Sequence, residues 1–225
     1  MCGRFTLLAK EADILKEFAI ERPIEGYRPS YNIAPGQNVV AIIHDGKEKR
    51  AGYLRWGLVP FWAKDEKIGN KMINARSETA HEKPSFKQLM ARKRCLIIAD
   101  SFYEWKKTDH GSQPKRIQLK DRNLFAFAGL WDKWEKGDKK LFTCTMLTKE
   151  ADAFMKDIHH RMPIILPKDQ EDDWISPYEI PPKEAQRFLQ SLQTEQLTAY
   201  YVNRYVNSAQ HNDEKCIAPL IESSY

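Results

Sequence analysis

The sequence predicts an α+β fold: a mixed, largely antiparallel sheet curled into a barrel-like core, with helices at its periphery. Three observations predict it. Short runs rich in β-branched and aromatic residues recur along the chain, among them Val39 to His44, Cys95 to Ala99 and Leu124 to Leu130. Turn signals such as Asp45-Gly46 separate many of these runs, while helical periodicity is confined to a few short stretches. Finally, 225 residues of which 42% are hydrophobic suffice for one substantial core, so residues 1–225 read as a single domain.

The chain opens on Met1-Cys2-Gly3-Arg4-Phe5. Removal of Met1 would leave Cys2 as a 1,2-aminothiol. Its α-amine, with a pKa of about 7.7–8.0 against about 10.4 for lysine, is partly unprotonated at neutral pH and attacks aldehydes. The neighbouring thiol then closes on the imine carbon to give a thiazolidine. The plainer alternative is that Cys2 merely follows the start codon. A short amphipathic helix comes next, with Ile14, Leu15 and Phe18 on one face. Tyr31 to Gln37 reads as a loop stiffened by Pro35 and turned at Gly36, and Val39 to His44 as the first strand of a hairpin whose second strand reaches Tyr53 to Trp56.

Trp56-Gly57-Leu58-Val59-Pro60-Phe61-Trp62 opens a long irregular section that extends to about Pro84. From Lys64 to Arg94 there are nine Lys or Arg against four Asp or Glu, an excess as large as the +5 of the whole chain. Basic residues interleaved with Trp56, Phe61, Trp62 and Phe86 suit a single-strand groove, where cations follow phosphates and aromatic faces stack on bases. A solvated basic helix over Ser85 to Arg92 beside core tryptophans accounts for the same pattern. Asn74-Ala75-Arg76-Ser77-Glu78-Thr79 is a dense polar cluster within this section.

Cys95 to Ala99 reads as a fully buried strand delivering Asp100-Ser101-Phe102-Tyr103-Glu104-Trp105. A carboxyl between Tyr103 and Trp105 in a partly dry site has its pKa raised toward the range of general acid–base work, although a surface glutamate beside aromatics has the same sequence. Strands are expected around Ile117, over Leu124 to Leu130 and over Leu141 to Leu147, with turns at Asp109-His110-Gly111, Asp121-Arg122-Asn123 and Lys136-Gly137-Asp138. A helix over Glu150 to Ile158 leads into His159-His160-Arg161-Met162-Pro163 and the apolar run Ile164 to Leu166. Pro182 starts a helix striped by Ala185, Phe188, Leu189 and Leu192; Leu197 to Val202 returns as a strand, and the tail to Ile217 as a last loop and strand with Cys216 buried.

Cysteines at 2, 95, 144 and 216 form no CxxC and no metal-ligand spacing, which points to reduced thiols in an intracellular protein with no structural zinc. Apolar runs such as Leu96 to Ala99 are far too short to span a membrane, and no signal peptide is apparent, so a soluble cytoplasmic protein is expected. A pI of about 8.9 permits a polyanionic partner without requiring one.

Taken together, Met1-Cys2-Gly3-Arg4-Phe5, Tyr31-Asn32-Ile33-Ala34-Pro35-Gly36, Trp56-Gly57-Leu58 with Pro60 and Trp62, Asn74 to Thr79, Phe102-Tyr103-Glu104-Trp105 and Ile158 to Pro163 resemble the SRAP family, the SOS response-associated peptidase-like proteins. The resemblance spans nearly the whole chain. It implies a sensor of abasic sites in single-stranded DNA that bonds covalently to the lesion through Cys2, acting in the DNA-damage response. By similarity, Glu104 shuttles protons, His159 assists opening of the sugar ring, with the adjacent His160 as the alternative for that role, and Asn74 orients the Cys2 amine and the sugar. Arg4, Arg76 and Arg161 hold phosphates, Asn32 joins the DNA-binding set, and Pro35 and Trp62 pack against flanking bases. The resemblance implies no cofactor, metal or membrane, a monomer, and a cytoplasmic protein associated with the nucleoid when on DNA. The family name also points to thiol autoproteolysis before Cys2, and the lesion chemistry to an abasic-site lyase activity. Two other classes compete: a glutamine amidotransferase with an N-terminal Cys nucleophile, and a noncovalent single-strand binding module.

Overall fold

Antiparallel hairpins long enough to twist through a full circuit close on themselves and lose their exposed edges. The computed structural model, which describes residues 2–109 and 111–220, contains such a closure. Its strands are β1 (Phe5–Leu7), β2 (Ser30–Ile33), β3 (Asn38–His44), β4 (Lys49–Trp56), β5 (Asn74–Arg76), β6 (Arg94–Ala99), β7 (Ser101–Thr108), β8 (Gly111–Leu119), β9 (Phe125–Lys136), β10 (Lys139–Glu150), β11 (Arg161–Pro163), β12 (Ile165–Leu166) and β13 (Leu197–Tyr201). The helices are short: α1 (Glu11–Glu17), α2 (Ser77–Ala80), α3 (Lys87–Arg92), α4 (Ala153–Lys156), α5 (Glu171–Trp174) and α6 (Pro182–Ser191). β4 pairs with β3, β3 with β6, β6 with β9 and β9 with β10, all antiparallel. β10 then returns to β4 in parallel at Thr143 and Cys144, completing a five-strand barrel.

A second sheet, in the order β13-β8-β7-β1-β2, lies against the barrel. Phe5 of β1 plugs into the joint, its ring centroid 5.2 Å from that of Trp56 and 5.7 Å from that of Phe127. Phe102 of β7 meets Phe127 edge-on at 6.0 Å. Each fully buried aromatic of this kind contributes about 1.5–3 kcal/mol, enough to tether the N-terminal segment firmly. Beyond Met146 the barrel wall opens. There β10 is flanked by β5, paired in parallel from Met146↔Asn74 to Thr148↔Arg76, and by β11, paired from Thr148↔Pro163 to Glu150↔Arg161.

Several expectations are corrected. The helix expected over Glu150 to Ile158 is only α4, because pairing with β11 carries β10 through Glu150, and the Asp152 carboxylate accepts from the Met155 amide at 2.8 Å to start the helix late. The section read as irregular up to Pro84 contains β5, α2 and a 3-10 turn over Glu66–Lys71. Ser30–Ile33, read in part as loop, is a strand because β1 supplies its partner. Cys216 lies in a 3-10 turn, not a strand, and an isolated β-bridge joins Val202 to Pro219 in the tail. Met1 and His110, the latter within an expected turn, lie outside the described residues.

Candidate active site

Because side chains alternate across a strand, Phe102, Glu104 and Lys106 of β7 share one face. Phe102 is committed to the barrel core, and Glu104 is the next position outward, at the seam where the two sheets part. Glu104 is only 2% exposed, and burial pushes its carboxyl up to about 7. A carboxyl with that pKa is a proton donor and acceptor of nearly equal readiness at neutral pH. Across from it, β1 is registered on β7 by Phe5↔Phe102 and by the Tyr103 amide donating to the Arg4 carbonyl at 2.9 Å. That registration carries the preceding Cys2 into the same seam, fully buried. Burial drives the Cys2 thiol well above its usual range and the charge of Glu104 adds to the effect, so the sulfur carries its proton.

Asn74 completes the cluster from the third side. β5 is fixed by its parallel pairing with β10 and by Trp56 Nε1 donating to the Ile73 carbonyl at 2.8 Å. From that strand Asn74 Nδ2 donates to the Cys2 carbonyl oxygen at 2.8 Å. Its Oδ1 is buried and has no hydrogen-bond partner among the described residues. The structure thus brings Cys2, Asn74 and Glu104 together from three separate strands or strand ends.

His159 follows α4 and is half-buried, with His160 stacked on it at 4.3 Å between ring centroids. Burial lowers the His159 pKa and the charges of His160 and Lys107 of β7 lower it further, so the ring is neutral at physiological pH. Its Nδ1 lies 3.0 Å from the Arg161 amide and 3.2 Å from the Arg161 carbonyl, so the backbone of Arg161 fixes the orientation of the ring. A groove of about 360 Å³ beside it is lined by Arg76, Glu150, Lys156, His160 and Arg161. Arg76 is exposed there, whereas Arg161 is buried and grips Glu78 with both ends of its guanidinium at 2.8 and 3.0 Å, with Thr148 taking a further bond through its carbonyl at 2.9 Å. Glu78 and Thr148 went unrecognised in the sequence as parts of this anchor; Glu78 lay inside the noted polar cluster, but nothing in the pattern ties it to Arg161.

The expected base-packing residues are at the surface. Pro35 is exposed on a turn held by the Gly36 amide donating to the Trp56 carbonyl at 2.7 Å, and Trp62 is 49% exposed. The Phe61-Trp62 turn owes its position to Gly57, with φ of +130° and a backbone so close to Gly69 that a Cβ on Gly57 would lie 2.7 Å from the Gly69 carbonyl oxygen. Arg4 and Asn32 are placed differently. Asn32 is buried, accepts from Arg4 Nη1 at 2.7 Å and donates to the carbonyls of Ser208 at 2.9 Å and His211 at 2.7 Å. Arg4 also donates to the Val206 carbonyl at 2.8 Å, so this pair clasps the C-terminal segment beside the Cys2 strand.

The family model described as SOS response associated peptidase (SRAP) matches residues 1–209. Among known proteins, the Bacillus subtilis abasic site processing proteins YoqW and YoaM are 50% and 51% identical to this chain over 221 residues, covering 96% of it and 99% and 97% of their own lengths. The abasic site processing protein HMCES of Gallus gallus is 33% identical over 86% of this chain and 67% of its own. A crystal structure of a Bacteroides thetaiotaomicron protein matches with a TM-score of 0.86 at 25% identity, covering 98% of this chain and 100% of that one. Agreement of sequence over nearly the full length and of the whole barrel-and-sheet architecture leaves one conclusion: the chain belongs to the SOS response associated peptidase (SRAP) family.

Proposed function

We propose that this protein processes abasic sites in DNA by covalent capture of the lesion in single-stranded DNA. The observation that carries this reading is the convergence on Cys2 of Asn74, bonded to its carbonyl at 2.8 Å, and of Glu104, a buried carboxyl with its pKa at about 7. With Met1 removed, the α-amine of Cys2 adds to C1 of the open-chain deoxyribose aldehyde. The resulting carbinolamine loses its hydroxyl as water, with Glu104 supplying the proton and taking one back from nitrogen. The Cys2 S–H then adds across the C=N bond, sulfur bonding to C1 and the proton ending on the ring nitrogen, so the thiazolidine forms without any further reactant. His159, neutral because burial lowers its pKa, is suited to take the proton from the anomeric hydroxyl and deliver it to the ring oxygen as the C1–O bond breaks. Arg76 offers a phosphate contact, while Pro35 and Trp62 offer surfaces for flanking bases. An imine without the thiol is open to β-elimination, which supports a lyase activity as a side path. The abasic site processing names of the half-identical relatives support the same substrate class.

The deciding experiment mixes purified protein with a single-stranded oligonucleotide carrying one abasic site, beside an undamaged control, and reads intact mass and denaturing-gel mobility. A heat-stable adduct with the damaged strand alone, on protein lacking Met1, is expected. No adduct despite complete Met1 removal and an intact aldehyde would overturn the covalent reading.

A further inference from the structure

The register of the second sheet carries the site beyond Glu104. Glu104 of β7 stands directly opposite Lys115 of β8, and Lys115 stands directly opposite Tyr201 of β13. Directly opposed residues in antiparallel strands project from the same face, so the three form one transverse row running from the buried carboxyl to the edge of the sheet. Along this face the core-side residues Phe102, Ile117 and Leu119 are buried, while Lys106, Lys115 and Tyr201 emerge toward solvent. Lys115 Nζ lies 4.4 Å from the centroid of the Tyr201 ring, which holds the flexible stem in one direction. The neighbouring Lys106 is already committed to Asp157 at 2.6 Å, whereas Lys115 makes no ion pair within 4 Å among the described residues and feels the Asp157 charge only from further away. At about 4.8 Å per strand, two steps put the Tyr201 edge of the row about 10 Å from Glu104, within reach of a nucleotide adjoining the lesion.

We infer that Lys115, braced on Tyr201, is a phosphate-binding residue for the strand on one side of the abasic site, and that Asp157 limits binding there by neutralising Lys106. This rests on single-stranded DNA being the substrate of the Cys2 site, so the test separates the two. Equilibrium binding is measured over a salt series with an oligonucleotide bearing a tetrahydrofuran residue, which has no aldehyde and forms no adduct. Lys115→Ala is expected to bind roughly three- to tenfold more weakly, with the log–log salt slope shallower by about 0.7, and Lys115→Arg to retain both values. Asp157→Asn frees Lys106 and is expected to bind more tightly with a steeper slope, a change that loss of fold does not mimic. The Lys115→Ala penalty should vanish when the oligonucleotide is cut back to the lesion on one of its two sides and persist when it is cut back on the other. Equal binding by Lys115→Ala and the unaltered protein, or a penalty that survives both truncations, overturns the inference. Failure of the unaltered protein to bind single strands overturns it too, whereas failure to form an adduct overturns only the covalent reading.

Discussion

Asn74 holds Cys2 by its main chain: Nδ2 donates to the Cys2 carbonyl oxygen at 2.8 Å, across 72 positions of sequence. The bond fixes the residue and leaves the thiol and the α-nitrogen for chemistry, while Asn74 Oδ1 is buried with no partner among the described residues. Asn74→Ala should therefore slow adduct formation tenfold or more through lost orientation, at a stability cost of only about 1 kcal/mol. Asn74→Asp should be slower still, since its carboxylate would face the carbonyl oxygen. Single-turnover rates with the abasic oligonucleotide measure both, and an unchanged rate in Asn74→Ala would remove the residue from the mechanism.

Glu104 couples reactivity to stability. Raised from 4.5 to about 7 in the folded protein, the carboxyl binds its proton more tightly folded than unfolded. Stability is consequently lost as pH rises from about 4.5 to about 7 and stays at the lower value above, a penalty of about 3 kcal/mol or less. Glu104→Gln abolishes this titration. It should raise the unfolding free energy at pH 8 by about 1–3 kcal/mol, with little difference from the unaltered protein near pH 4.5, while slowing both formation and reversal of the adduct. Urea denaturation at the two pH values decides: equal stabilisation at both would mean that the carboxyl is not perturbed by burial.

The parts of this arrangement differ in how far the sequence reveals them. The β3–β4 hairpin, β6, β9 and β10 are legible because each is a run long enough to show its apolar pattern, closed by recognisable turn residues. Cys2, Asn74, Glu104 and His159 are legible through the motifs that surround them. β1, β5 and β11 are not, since three residues carry no period and owe their conformation to the long strands they pair with. The clasp of Arg4 and Asn32 on the C-terminal segment is also hidden. It depends on contacts separated by 174 or more residues, and arginine and asparagine near a reactive cysteine read equally well as DNA contacts.

Arg161 tests the distinction between anchoring a site and touching its substrate. It bonds Glu78 in bidentate fashion, 83 residues away, with the arginine side chain 8% and the glutamate 39% exposed. Breaking a fully buried pair costs about 3–5 kcal/mol. Allowing for the exposure of Glu78, Arg161→Ala should lose about 2–3 kcal/mol and lower Tm by roughly 4–12 °C. Arg76→Ala, at an exposed position, should leave Tm unchanged and weaken DNA binding alone. Thermal melts and binding isotherms for both variants provide the comparison; an unaltered Tm in Arg161→Ala would show that the ion pair does not hold β11 in place.

His159 and His160 are stacked at 4.3 Å yet differ in what surrounds them. His159 is half-buried with Nδ1 engaged by the Arg161 amide at 3.0 Å, while His160 is exposed along the groove with Arg76 and Lys156. Only the first has its ring held in place by fixed backbone groups, which general acid–base work requires. His159→Asn should reduce the single-turnover rate at saturating DNA by about 10²-fold or more, with binding unchanged. His160→Asn should do the reverse, raising the concentration needed for half-saturation and leaving the saturated rate alone. Because burial holds the His159 pKa below its ordinary value of 6.5, the ring is mostly neutral above pH 7.5, and the rate profile above that pH follows Glu104 and the Cys2 amine. His159→Asn should accordingly lower the profile without changing its shape there. A rate loss confined to His160→Asn would transfer the proton-handling role to the neighbouring ring.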